Sequence, residues 1–247
     1  MLWVPGPRYL LRRYCVMRLI SALPQRGRIL EIGCGTGDLL LDLTKRGFTG
    51  VGVESSQAAR NEAVERTRHV RDRVSIVADL EQVDERFDLL VACEVLEHME
   101  DDRAALLEWV GRLSPGGWLI LSVPAHQRRW GPSDVWAGHF RRYERRKLGR
   151  LVADVGMNVK ALWCYGFPLA NVGEPLRHFL HARRLKRQAH LSFEQRTARS
   201  GIERSRLESV LALIPMPLVL MFCWVQVPFL DTDFGNGLIV LGQRLQS

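Results

Sequence analysis

The stretch RILEIGCGTGDLL, Arg28 to Leu40, runs a short apolar strand pattern straight into three closely spaced glycines and then into a helical one. Gly33, Gly35 and Gly37 permit a tight turn and let a ligand approach the backbone before the helix begins. Working outward, β-rich runs stand at 28–33, 49–54, 73–78, 87–93 and 117–124, with helical patterns at about 37–46, 56–70 and 102–113. This β-α-β-α order predicts an open, mostly parallel α/β sheet with helices on both faces. Ligands of such sheets bind at the carboxyl ends of the strands, near the topological switch point.

A glycine loop alone serves several kinds of nucleotide, and two details narrow it. The dinucleotide pattern GxGxxG would require glycine at 38, where the chain has Asp38, and Glu31 sets a carboxylate just ahead of the loop. Negative charge there is awkward for a pyrophosphate at a helix N-terminus but suits a ligand with an ammonium and a sulfonium. The loop therefore favours S-adenosylmethionine over NAD. Glu54 closes the second strand, where an acid can accept from both ribose hydroxyls, and Asp79 follows the third, within reach of an adenine amino group.

ILEIGCGTG, VGVESS, VADL, FDLLVACEVLEHMEDD and LSPGGWLILSVPA, in this order, resemble the class I S-adenosylmethionine-dependent methyltransferases. The EVLEH segment is most similar to the branch that contains the UbiG-type ubiquinone-pathway O-methyltransferases. The resemblance covers about 28–165 plus a final strand, and implies a Rossmann-like seven-stranded sheet whose last strand is antiparallel and inserts beside the fifth. MNVKALWCYG (157–166), after a helix at 144–155, fits the sixth strand, and NGLIVLGQRL (236–245) fits the seventh. It also implies that Glu31, Gly33, Gly35 and Gly37, with Cys34 among them, surround the methionine moiety. Glu54 with Ser55 would meet the ribose, Asp79 with Leu80 the adenine, and Cys93 and Glu94 would lie near the methyl donor.

Candidate acid-base residues gather in CEVLEH, where Glu94, Glu97 and His98 follow the fourth strand, and His126 follows the fifth. His98 or His126 could be a general base, since a near-neutral pKa suits proton abstraction from a phenol or alcohol. Alternatively Glu94, Glu97, His98 and a second histidine could hold a divalent cation, as similar E-x-x-E-H segments do in some relatives; this reading is not the favoured one. A third possibility is that Glu97 and His98 only fix the loop. Trp130, Trp136, His139 and Tyr143, in WGPSDVWAGHFRRYERRKL (130–148), could wall an acceptor pocket, with His139 a further acid-base candidate. Arg141, Arg142, Arg145, Arg146 and Lys147 could meet an anionic acceptor or simply face solvent.

The 247 residues, 47% hydrophobic and 25% charged, have the composition of a soluble globular protein of one enlarged domain. Five separated cysteines with no CxxC pair argue against a disulfide framework and leave a reducing cytoplasm as the expected compartment. The divisions read as an N-terminal helical segment packing on the core (1–27), the cofactor core (28–165), a basic and apolar insert (166–235) and the returning strand (236–247). The N-terminus has Arg8, Arg12, Arg13 and Arg18 spread through apolar positions, unlike a signal peptide.

Between Arg177 and Arg206 nine Arg or Lys face two acids, nearly the whole excess of the net charge of +8. Such a face favours phosphates, those of lipid headgroups included. It is followed by the apolar run VLALIPMPLVLMFCWVQVPFL, 210–230. A complete crossing there would strand the seventh strand on the far side of a membrane. Pro215, Pro217 and Pro228 also limit a helix to about 217–227, too short to span. The run is expected as a lid over the acceptor or as a dip into the inner leaflet by a peripheral protein. The combined expectation is transfer of a methyl group to an apolar, lipid-like small molecule, one with an anionic group included, at oxygen first, with carbon or nitrogen open. Nucleic acid is the weaker partner, lacking a recognisable RNA-binding module, and nothing in the loop suggests a non-catalytic binding protein.

Overall fold

The alternating runs fold into one mixed sheet, seen in a computed structural model that describes residues 6–24, 27–187 and 215–245. Its strands are β1 (Arg28–Ile32), β2 (Thr49–Val53), β3 (Val74–Val77), β4 (Phe87–Cys93), β5 (Leu113–Pro124), β6 (Met157–Tyr165) and β7 (Gly237–Arg244). They lie in the order β3-β2-β1-β4-β5-β7-β6. β1 to β5 are parallel, and β7 runs antiparallel between β5 and β6. The strand order reverses beside β1, so the switch-point crevice opens between the carboxyl ends of β1 and β4.

Helices α1 (Pro7–Ser21), α2 (Asp38–Thr44), α3 (Gln57–Thr67), α4 (Asp102–Gly111), α5 (Pro132–Ala137), α6 (Arg145–Asp154), α7 (Leu169–Arg187) and α8 (Met216–Val225) surround the sheet. Alternate strand residues serve opposite faces, as the period of two requires. Leu30, Leu90, Leu119, Leu121 and Val240 share one apolar layer with Leu106 and Trp109 of α4 and Leu148 and Val152 of α6. Ile29, Leu89, Val91, Ile120 and Ile239 share the other with Leu39, Leu40 and Leu43 of α2 and with Cys15, Val16, Leu19 and Ile20 of α1. The N-terminal helix is thus amphipathic and lies on the core.

Two readings change most in the structure. β5 begins at Leu113 rather than 117, because Phe87 pairs with Leu113 and Leu89 with Trp118 while the intervening residues bulge through Gly116 at φ 76°. The WGPSDVWA stretch, read as a pocket wall or surface loop, contains the short helix α5.

Between β6 and β7 lie α7 and α8; the part of the basic segment beyond Arg187 and the start of the apolar run, 188–214, fall outside the described residues. α8 starts one residue before the expected 217 and ends at Val225. It turns Val219 and Cys223 inward and leaves Met216, Leu218, Leu220, Met221, Trp224 and Val225 exposed. Gln226, the polar residue of the run, is buried: its Oε1 accepts from the Gly166 N–H at 3.0 Å and its Nε2 donates to the Leu11 carbonyl at 3.1 Å. Among the described residues no helix is long and apolar enough to cross a membrane.

Candidate active site

The loop after β1 takes its shape from glycine, with Gly33, Gly35 and Gly37 at φ 70°, 55° and 76°, a region side chains avoid. A side chain at Gly33 would also collide with Val95, so the loop after β4 lies directly against the glycine loop. Glu54, at the end of β2, fastens the loop: one oxygen accepts from the Gly35 N–H at 2.9 Å and the other from the Ser56 N–H at 2.8 Å. Each of these oxygens keeps a second lone pair for a hydroxyl donor. Glu31 is buried, and its Oε2 has no hydrogen-bond partner among the described residues. Burial pushes its carboxyl up to about 8 against the pull of Arg12.

These features fit a ligand that brings a cation to Glu31 and a diol to Glu54. Asp79 stands exposed at the end of β3 with Leu80 packed beside it, and Ser55 is exposed next to Glu54. Cys34 turns its sulfur inward, where a side chain at Gly52 would meet it, so only its backbone faces the loop. Cys93 is half-buried, its thiol pushed up to about 11 by burial despite Arg12.

At the end of β4 the chain turns sharply, with Glu94 at φ 59°. Glu94 does not join the other acid-base candidates. It pairs with Arg8 at 2.7 Å and Arg12 at 3.8 Å from α1 and accepts from the Tyr165 hydroxyl at 3.0 Å. Burial would raise its carboxyl, but Arg8 and Arg12 hold it below the usual range. Sequence reasoning missed both arginines and Tyr165. The signal was present, since Arg8 and Arg12 sit four apart, in line with the buried Cys15, Val16 and Leu19.

Glu97, His98 and His139 do come together, with one ligand atom from each within 4.8 Å of the others. Glu97 is fully buried and, among the described residues, neither carboxylate oxygen has a hydrogen-bond partner. Burial and the neighbouring Glu94 push its carboxyl well above the ordinary range. The His98 Nδ1 lies 3.3 Å from the Gly138 carbonyl, and its ring meets the His139 ring edge to face at 4.8 Å. Burial, helped by His139, lowers the His98 pKa to about 4, so the imidazole is neutral. His139 sets Nδ1 at 3.0 Å from Asp134 Oδ1 and Nε2 at 3.8 Å from Glu97 Oε1. An orphaned carboxyl with two imidazoles is a donor set that fits a divalent cation, and it can equally handle a proton.

Four expectations for this region are corrected. His126 lies away from the cluster, buried with Nδ1 3.4 Å from Glu144 and Nε2 3.9 Å from the Cys164 sulfur. Tyr143 is a core residue whose hydroxyl donates to Asp102 at 2.9 Å. Trp136 is buried against the His181 ring at 4.5 Å rather than open to an acceptor, while Trp130 is half-buried after the turn Gln127–Arg129. Arg142 does not await an anion: it is buried between Asp134 at 2.7 Å and Glu174 at 3.0 Å. Arg141 pairs with Asp102 at 3.0 Å and Arg145 with Asp233 at 2.6 Å, which leaves Arg146 and Lys147 exposed.

Comparison with known proteins bears on this crevice. Over 118 residues the chain is 36% identical to the ubiquinone biosynthesis O-methyltransferase of Alkalilimnicola ehrlichii, covering 46% of this chain and 47% of that protein. Over 101 residues it is 38% identical to the protein of the same name from a Bradyrhizobium species, covering 39% of each. The chain thus spans half or less of the length of the curated relatives it matches. Among solved structures, the [4+2]-cyclase SpnF superposes with a TM-score of 0.59 at 18% identity, covering 97% of this chain and 82% of the other. Phosphoethanolamine N-methyltransferase 2 of Haemonchus contortus, solved with S-adenosyl-L-methionine, gives 0.58 at 15% identity, covering 95% and 53%. These likenesses speak for the fold alone. The model of the methyltransferase domain matches residues 8–162, from the arginine of α1 that meets Glu94 to the middle of β6, and over that span the chain is a member of the methyltransferase domain family.

Proposed function

We propose that the protein transfers a methyl group from S-adenosylmethionine to a hydroxyl of an apolar, lipid-like small molecule. One observation carries the choice of oxygen: Glu97, His98 and His139 converge at the end of β4, beside the glycine loop. A carbon or nitrogen acceptor can react without losing a proton to the enzyme, whereas a hydroxyl needs such a group. The ubiquinone biosynthesis names of the curated relatives support the same acceptor class.

When bound, the cofactor supplies the methyl group as an electrophilic carbon. Glu31, Gly33, Gly35 and Gly37 hold its amino acid end, Cys34 contributing backbone, while Glu54 and Ser55 take the ribose and Asp79 and Leu80 the adenine. Cys93 and Glu94 close the floor near the transferred group. The remaining task is to align the acceptor and exclude water. α1 is held by Arg8 and Arg12 on Glu94, α8 leans on α1 through Gln226 and the Leu11 carbonyl, and the two would roof the crevice. His139 takes the acceptor proton on Nε2, and His98, kept neutral with Nδ1 on the Gly138 carbonyl, braces the His139 ring edge to face.

A second reading rests on the orphaned Glu97. A divalent cation would be held by Glu97, His98 and His139 and would lower the pKa of an acceptor hydroxyl. The exposed apolar face of α8, with Arg183 stacked on Phe179 of α7 at 4.3 Å, supports peripheral contact with an anionic leaflet from which such an acceptor would enter.

Calorimetry with S-adenosylmethionine and S-adenosylhomocysteine tests the cofactor assignment; no heat of binding to folded protein would overturn it. Transfer of labelled methyl groups into a cell extract then identifies the product. Activity that survives dialysis against EDTA selects the base over the cation. Activity lost on dialysis and restored by a divalent metal selects the cation.

A further inference from the structure

Asp134, on α5, is buried and surrounded by donors. Its Oδ2 accepts from the Gly131 N–H at 2.9 Å, and its Oδ1 faces both the Arg142 Nε at 2.7 Å and the His139 Nδ1 at 3.0 Å. A guanidinium and a backbone amide N–H are donors only. With the Gly131 N–H on one oxygen and the Arg142 Nε–H on the other, Asp134 meets these two partners as an acceptor. The imidazole nitrogen that faces it must therefore carry a proton. In a neutral ring the other nitrogen, Nε2, then carries the lone pair, on the side of Glu97.

We propose that Asp134 is the positioning residue of this site: it fixes His139 as the Nδ1–H tautomer and so keeps Nε2 free to take the acceptor proton or to bind a cation. The proposal builds on the preceding functional reading, but its first test does not depend on turnover. In wild-type protein labelled with 15N-histidine at about pH 8, where an ordinary imidazole is neutral, the His139 resonances, assigned by loss in His139→Gln, are expected to show a protonated Nδ1 and a bare Nε2. A ring protonated at Nε2, neutral or charged, would overturn it. A wild type with the expected tautomer but no methyl transfer would count against the functional reading alone.

The kinetic test separates positioning from scaffolding. In Asp134→Asn an amide must turn an N–H toward Gly131 or toward Arg142 and His139, so the arrangement cannot survive. The kcat is expected to fall by at least about tenfold, the scale of a misplaced acid-base group, while cofactor Kd measured by calorimetry stays within about twofold. His178→Ala is the structural control, because His178 receives the Ser133 hydroxyl at 3.1 Å in the first turn of α5 and, among the described residues, has no hydrogen bond to Asp134 or His139. It is expected to lower Tm while kcat stays within about threefold, the range of indirect effects. Equal losses of kcat in the two variants would reduce Asp134 to a scaffold residue. Should Asp134→Asn not fold, the wild-type spectrum and Asp134→Glu, which keeps a carboxylate and is expected to retain the Nδ1–H tautomer, still decide.

Discussion

Glu31 sits in β1 with a carboxyl that would be ionised in water and is held protonated in the free protein, its pKa near 8. A cation placed against Oε2 reverses this by favouring the carboxylate. Binding of S-adenosylmethionine near pH 7 should then release a proton. Affinity should rise with pH, by up to about tenfold per unit below pH ~8, and level off above it. Calorimetry in two buffers of different ionisation enthalpy checks the release, and Glu31→Gln should abolish the buffer difference. The same shift makes the free fold less stable as pH climbs from 4.5 to about 8, because the folded chain holds a proton that the unfolded one gives up. The residues around Glu31 were legible in the sequence because they are contiguous or stand at successive strand ends. Arg8 and Arg12 read only as interruptions of an apolar helix, since the Glu94 they face is far along the chain. His139 reaches His98 through the α5 turn, which no local pattern announces.

At the scale of elements, Gln226 joins three pieces of chain: the end of α8, the carbonyl of Leu11 in α1 and the amide of Gly166 after β6. Gln226→Leu leaves the buried Gly166 N–H without its acceptor. It should cost about 1–3 kcal/mol, read as a lower midpoint in urea denaturation with an unchanged slope. Among the strands, β4 matches its expected span because its apolar run is bounded by polar residues on both sides. The start of β5 was hidden by SPGG, whose composition signals a turn while its backbone continues the pairing through a bulge. Polarity misled in the same way at Arg142, while Tyr143, read as a pocket wall, is core. The stretch around Arg142 is charged enough to look like surface, yet its guanidinium is spent on Asp134 and Glu174 inside.

At the scale of the molecule, α8 presents most of its circumference to solvent although its side chains are apolar, an arrangement suited to the boundary of a bilayer. Co-sedimentation with vesicles rich in anionic lipid should pellet the wild type. Leu220→Ser with Trp224→Ser should cut the pelleted fraction several-fold, and added salt should weaken binding of both, since only the electrostatic part is screened. Equal pelleting of the two proteins would remove α8 from the contact. The position of β7 has a different consequence. It fills the slot between β5 and β6, yet it is made only after the whole excursion from Tyr165 to Gly237. At about 5–20 residues per second, a nascent chain spends roughly 4–14 s with β5 and β6 both complete and both open along the edges that β7 will join. For that interval the growing chain carries two sticky edges. Synthesis speed through the insert thus becomes a determinant of how much of the protein escapes aggregation.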